Sequence, residues 1–229
     1  MKLAIIIPAH NEETAIGNVL VSLPKKIKNI DEIVSIVVDD GSTDKTLEIA
    51  AKYASYAVRH VVNLGVGAAT TTGLEASKKL KADIVVTIDA DGQHNPDDIK
   101  RIIKPVLENN FDVVIGTRMT DCKEMPKIKI FGNWCMNCLT FIIFHKWSTD
   151  SQSGMKAFSK KALKKLNFKS IGYEICSEMI GEVKRNKLKF TEVPIKTIYT
   201  DYSKAKGQSI LNAVNIFTKM ITIKLTTKK

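Results

Sequence analysis

Along this chain, short and almost wholly apolar runs alternate with longer segments in which apolar residues recur every three or four positions. The runs at 3–7, 33–38, 57–62, 83–88 and 111–115 predict strands of a sheet covered on both faces. Between them, 12–23, 43–56, 68–80 and 96–108 have helical spacing, with Ser42-Thr43 and Asn95-Pro96 in the order expected where a helix starts. The pattern is β-α-β-α-β-α-β-α-β, which predicts an α/β fold with a mostly parallel open sheet and helices on both faces.

Beyond Arg118 the rhythm changes. A polar bend at 120–129 leads into an apolar stretch at 130–147 and a turn-rich segment at 148–154. Helices at 160–166 and 173–186 follow, then a strand at 190–199 and a terminal helix. In that last helix Ile210, Leu211, Val214, Phe217, Ile221 and Leu225 form one stripe, suited either to packing on the sheet or to lying in a membrane interface. The uncharged residues at 130–144 are fewer than the roughly 20 that span a bilayer. We read 130–147 as interfacial, with Trp134, Phe141, Phe144 and Trp147 near the headgroups and Lys127, Lys129 and Lys146 against anionic lipid; a core helix is the alternative.

Charge sharpens this division. The net charge of +11 over 229 residues is one-sided, with 14 basic against 16 acidic residues up to Arg118 and 21 against 8 after it. An acidic half joined to a basic, aliphatic half fits an enzyme working beside an anionic surface. Sparse aromatics (7%) and the lack of a recognition-helix or RNA-binding signature argue against a nucleic-acid partner. The four cysteines imply no disulfide framework, and Cys135-x-x-Cys138 reads as packing thiols. The apolar run that opens the chain is too short for a secretory signal, so a cytoplasmic location is expected.

Open α/β sheets bind ligands at the carboxyl ends of their strands, and here those ends are polar. They read His10-Asn11-Glu12-Glu13, Asp39-Asp40-Gly41-Ser42, Asn63-Leu64-Gly65-Val66-Gly67, Asp89-Ala90-Asp91-Gly92-Gln93-His94 and Gly116-Thr117-Arg118. In an extended segment Asp89 and Asp91 project to one side, and two carboxylates so close call for a hard cation, Mg²⁺ or Mn²⁺, with Gln93 able to add an amide oxygen. Such a cation would screen a diphosphate leaving group. Gly65-Val66-Gly67 follows the third strand and lacks the third glycine of a dinucleotide fingerprint, so we read it as a close backbone turn near a ligand.

This ordered set, together with Asp150 to Gly154 and Glu192-Val193-Pro194-Ile195, resembles the inverting GT-A glycosyltransferases, and within them the polyprenyl-phosphate sugar synthases of the dolichyl-phosphate mannose synthase type. The resemblance covers nearly the whole chain and rests on many weak motifs in one order. It implies a GT-A sheet with amphipathic acceptor-side helices, in one glycosyltransferase domain: 1–118 as the nucleotide-sugar half and 119–229 as the lipid-acceptor, membrane-facing half. Pro8, His10, Glu12 and Asp39 would contact base and ribose, with Asp40, Asp89 and Ala90 beside them in the donor motifs. Asp89, Asp91 and Gln93 would hold the cation, Arg118 would grip phosphate, and Lys204 and Lys206 would lie in a loop closing over the site. His10 stands where the first motif usually has tyrosine. Val66 and Thr71 replace basic residues, and the acceptor side offers Lys127 and Lys129 where arginines are usual.

The implied reaction is a single inverting displacement onto a polyprenyl or dolichyl phosphate. That nucleophile is already ionised near neutral pH, because the second pKa of a phosphate monoester is about 6. Asp150 is the candidate should a carboxylate assist. UDP-linked glucose or N-acetylglucosamine is slightly favoured, with GDP-mannose open. The alternative is a GT-A enzyme acting on a hydroxyl of a glycan or surface polymer, which would need a true base. The expected location is the cytoplasmic face of a membrane, with room for a membrane-anchoring partner.

Overall fold

The computed structural model describes residues 1–120, 125–198, 218–220 and 222. Seven strands among the described residues form one sheet: β1 (Lys2–Ala9), β2 (Glu32–Asp39), β3 (Tyr56–Arg59), β4 (Ile84–Thr87), β5 (Val113–Thr117), β6 (Lys156–Ser159) and β7 (Phe190–Pro194). Their order is β3-β2-β1-β4-β6-β5-β7. All neighbours run parallel except β6, which lies antiparallel between β4 and β5. The helices are α1 (Ile16–Ser22), α2 (Thr46–Tyr53), α3 (Val66–Lys79), α4 (Asp98–Glu108), α5 (Lys127–Phe144), α6 (Lys160–Lys165) and α7 (Ile175–Arg185).

Strand alternation divides the core in two. Leu3, Ile5 and Ile7 of β1 face Ile16 and Leu20 of α1 and Ile99, Ile102 and Ile103 of α4. Ala4 and Ile6 face the other way, onto Ala69 and Leu74 of α3, Leu163 of α6 and Met179 and Val183 of α7. Both faces are therefore covered, which is why the central runs are apolar without alternation.

Several elements differ from the sequence expectation. β3 ends at Arg59 on the sheet's edge, leaving Val61 and Val62 exposed outside it. β6 was not anticipated: it has four residues, one of them the buried Lys156, too short for a hydrophobic period to register. α1 starts at Ile16 because Asn11 to Ala15 are spent in loop contacts. α2 starts at Thr46, where Asp44 Oδ1 accepts its N–H at 2.9 Å, so Asp44 replaces Ser42-Thr43 as the capping side chain. α4 starts at Asp98, after a turn at Pro96-Asp97 in which Asn95 Oδ1 accepts the Asp97 N–H. β7 stops at Pro194, although Thr197 bridges His94 and the Ile198 N–H bonds Gln93 O.

α5 is amphipathic in an inverted sense. Asn137 and Thr140 are buried and hydrogen-bonded, while Ile128, Phe131, Trp134, Phe141 and Ile142 are exposed, with Trp147 just beyond. Phe144 turns inward instead: a Cβ on Gly181 of α7 would meet its ring at 2.4 Å. Among the described residues no helix is long and apolar enough to cross a membrane, and Cys135, Cys138 and Cys176 are free thiols. All six residues of the terminal stripe, together with Lys204, Lys206 and Cys122, lie outside the described residues.

Candidate active site

The carboxyl ends of β1, β2, β4 and β5 open on one side of the sheet. The loop after β1 is locked to the loop after β2: the Asn11 N–H bonds Ser42 Oγ at 3.0 Å, and Asn11 Oδ1 accepts from the Thr43 N–H at 2.9 Å. Asn11 itself has φ 53°, a left-handed conformation that asparagine tolerates. His10 is fixed by a 2.9 Å bond between Nδ1 and the carbonyl of Asp40, and the Glu12 N–H bonds Thr46 Oγ1. Pro8 stays within β1, paired with Val38.

Asp39 and Asp40 are adjacent but do different work. Asp40 is buried, with Oδ1 taking the Leu64 N–H and His60 Nδ1 and Oδ2 taking the Gly65 N–H at 2.7 Å. It holds the glycine turn, and its carboxylate is saturated by protein. Asp39 is fully buried, and neither oxygen has a hydrogen-bond partner among the described residues; Arg59 Nε is 3.6 Å away. A buried acceptor left without a donor is costly and marks a place where a ligand N–H fits.

The glycine turn packs closely against protein. A Cβ on Gly65 would stand 2.4 Å from Ile171 O, and one on Gly67 2.6 Å from Ser170 O. The close approach anticipated there is made by the backbone of residues 170–172.

At the end of β4, Asp89 Oδ2 meets His94 Nε2 at 3.0 Å, and Asp89 keeps 44% of its side chain open. Burial works against its charge, but the bond from His94 and the charges of His94, Lys156 and Arg118 hold its carboxyl below the ordinary value. Asp91 moves the other way: burial, then the negative charge of Asp89, pushes it up against a bond from the Gln93 N–H. Two acids pulled apart in this manner are a pair sharing one site. Gln93 also donates its amide nitrogen to Asp91 Oδ2 at 2.6 Å, so here it braces the acid instead of offering its oxygen. Ala90 packs into the core between them, leaving only its backbone for any ligand.

Gly154 makes room for the pair, since a Cβ there would lie 2.0 Å from Asp89 Oδ2. Its carbonyl accepts from Thr87 Oγ1 at 2.8 Å, and Lys156 Nζ donates to the neighbouring Ser153 carbonyl. At the end of β5, Arg118 is clasped by the fully buried Asp150. The segment leading to Asp150 is pinned in turn by Glu192, which accepts from Ser148 Oγ and Thr149 Oγ1 at 2.6 Å. The site thus brings together Asp89, Asp91, Gln93, Arg118 and Asp150. His94 and Lys156 are neighbours left without a role by the sequence, although His94 closes the acid motif.

Among the described residues no three His, Cys, Asp or Glu side chains converge as a metal cage. The Asp89–Asp91 pair offers hard carboxylate oxygens, which suit Mg²⁺ or Mn²⁺ when phosphate oxygens complete the shell.

An open, mostly parallel sheet with one antiparallel insertion and an acid pair at a central strand's tip defines a glycosyltransferase of the GT-A type. Residues 4–166 match the pattern of Glycosyl transferase family 2, and the chain belongs to that family. It is 42% identical to the UDP-N-acetylglucosamine–dolichyl-phosphate N-acetylglucosaminyltransferase of Methanococcus voltae over 243 residues, covering 96% of this chain and 95% of the relative. It is 26% identical to the dolichol-phosphate mannosyltransferase of Pyrococcus furiosus, covering 95% and 61%. In fold it resembles the glucosyl-3-phosphoglycerate synthase of Mycobacterium tuberculosis crystallised with Mn²⁺, UDP and phosphoglyceric acid, with a TM-score of 0.71 at 21% identity, covering 98% and 78%.

Proposed function

We propose that this glycosyltransferase moves N-acetylglucosamine from UDP-N-acetylglucosamine to a polyprenyl or dolichyl phosphate, with inversion, at the cytoplasmic face of a membrane. The observation that carries the reading is the acid pair, Asp89 and Asp91, at the tip of β4, in a chain 42% identical over nearly its full length to an enzyme named for that reaction.

Residues up to 118 form the donor half. Asp39, an unpartnered acceptor, takes an imide N–H of the base, with Pro8, His10 and Glu12 around base and ribose. Asp89 and Asp91 hold the divalent cation, which when bound offsets charge on the departing diphosphate. The acceptor's phosphate oxygen forms its bond to the anomeric carbon as the bond to the donor diphosphate breaks, and the electron pair leaves with UDP. An ionised phosphate needs no base. Asp150 therefore acts by fixing Arg118, whose positive charge sits at the end of β5 to position phosphate. The exposed apolar face of α5 supports docking in the headgroup layer, where the lipid phosphate is presented.

Calorimetry with UDP and Mn²⁺ tests the donor assignment. Wild type should bind UDP only with the cation, and Asp39→Asn should weaken UDP by about tenfold or more without lowering Tm, because it removes a buried carboxylate whose oxygens accept no hydrogen bond from the described residues. Equal affinity of the two proteins for UDP would contradict it.

A further inference from the structure

Three buried glutamates on and just before α7 capture the loop that precedes it. Glu182 accepts the Asn167 N–H, Glu178 accepts the N–H groups of Lys169 and Ser170 at 2.9 Å each, and Glu174 accepts that of Gly172 at 3.0 Å. On its other side, the Ile171 carbonyl accepts the Ala68 N–H at 3.0 Å, and the missing side chains of Gly65 and Gly67 let the loop backbone seat against the start of α3. The segment is clamped between two helices, and it ends in Tyr173, a large aromatic side chain that is 45% exposed.

Tyr173 is linked to the acid pair through the first turn of α7 and the start of β6. One turn on, Cys176 donates its N–H to Tyr173 O, and its Sγ lies 3.4 Å from Lys156 Nζ. Lys156 holds Ser153, whose neighbour Gly154 abuts the Asp89 carboxylate. A phenol keeps its proton at neutral pH and is a hydrogen-bond donor.

We propose that Tyr173 contacts the donor sugar and sets which hexose the enzyme accepts. The inference rests on the functional reading above. A donor with its base at Asp39 on β2 and its diphosphate at the tip of β4 places its hexose farther along the row of strand ends, toward the start of β6, where Lys156 meets Cys176 in the first turn of α7. An aromatic ring there covers the apolar face of a hexose, and the phenol donates to a sugar oxygen or to an acetamido carbonyl. Because the loop is clamped at both sides, the hydroxyl is placed before the donor arrives, which is what discrimination between similar sugars demands.

The test compares wild type with Tyr173→Phe and Tyr173→Ala, using UDP with Mn²⁺ in calorimetry and UDP-N-acetylglucosamine and UDP-glucose in turnover. Tyr173→Phe should keep UDP affinity within about twofold and leave the acceptor KM unchanged. It should lower kcat/KM for UDP-N-acetylglucosamine roughly tenfold and change its ratio to UDP-glucose. Tyr173→Ala should lose more, again without loss of UDP binding. A parallel loss of UDP affinity, a rise in acceptor KM alone, or an unchanged sugar ratio would overturn the inference while leaving the functional reading standing. Wild type that binds neither UDP nor a UDP-sugar would overturn the functional reading itself, and this inference with it.

Discussion

Arg118 Nε and Nη2 donate to different oxygens of Asp150, each at 2.7 Å, and the Arg118 backbone N–H adds a third bond to Oδ2 at 2.9 Å. A carboxylate so placed, fully buried and engaged at both oxygens, orients a guanidinium; it is badly situated to collect a proton from an acceptor. Asp150→Asn should destabilise the fold by about 3 kcal/mol, since it removes the buried negative charge that a partly buried guanidinium is paired with. It should raise the acceptor KM while the shape of the pH–rate profile stays the same, as read by steady-state assays across pH. Loss of the acidic limb of that profile would instead mark Asp150 as a base and favour a hydroxyl acceptor.

Gly154 has a steric duty to Asp89. With a Cβ only 2.0 Å from Oδ2, Gly154→Ala must displace the carboxylate or the loop. The expected outcome is a fall in turnover of about a hundredfold and a weaker response to Mn²⁺. Manganese titration monitored by electron paramagnetic resonance reads the effect directly.

Asp112 ties the far strands together, accepting from Lys161 Nζ at 2.9 Å, the Lys189 N–H at 2.9 Å and Ser159 Oγ at 3.3 Å. Burial alone would raise its pKa, but the Lys161 bond and the Lys189 N–H outweigh that and hold it below the ordinary value. A group lowered on folding contributes stability above its unfolded pKa, and that contribution is lost as pH falls through the folded value. Asp112→Asn should therefore cost about 2 kcal/mol at pH 7. In urea melts the gap to wild type should close as the pH is taken below 4, the usual carboxylate range.

The exposed side of α5 should bind lipid without supporting the fold. Trp134→Glu together with Phe141→Glu should reduce flotation with anionic vesicles by tenfold or more at unchanged Tm, because both side chains already face solvent. Undiminished flotation would remove the membrane docking of this helix.

The order of strands and helices up to Arg118 was legible because each central run is buried on both faces and each helix shows one apolar stripe. The acid pair was legible too, since two aspartates follow a fully apolar strand. What stayed hidden depends on partners distant in sequence. Asp39 and Asp40 look alike on paper, yet Asp40 is saturated by the turn at Leu64-Gly65 while Asp39 accepts no hydrogen bond among the described residues. Gly65 and Gly67 suggested a ligand, but the loop at 170–172 fills their notch. β6 escaped notice because its buried lysine breaks an already short strand, and Phe144 was grouped with the exposed aromatics because nothing local reveals that Gly181 receives it.

The most direct test of the central claim is transfer of label from radiolabelled UDP-N-acetylglucosamine to a short polyprenyl phosphate, followed by extraction into organic solvent. Label should enter the lipid fraction in Mg²⁺ or Mn²⁺, stop with chelator, and fall by at least about a hundredfold with Asp91→Asn. Label that reaches lipid despite full chelation, or that never leaves the nucleotide with any cation supplied, would contradict the account.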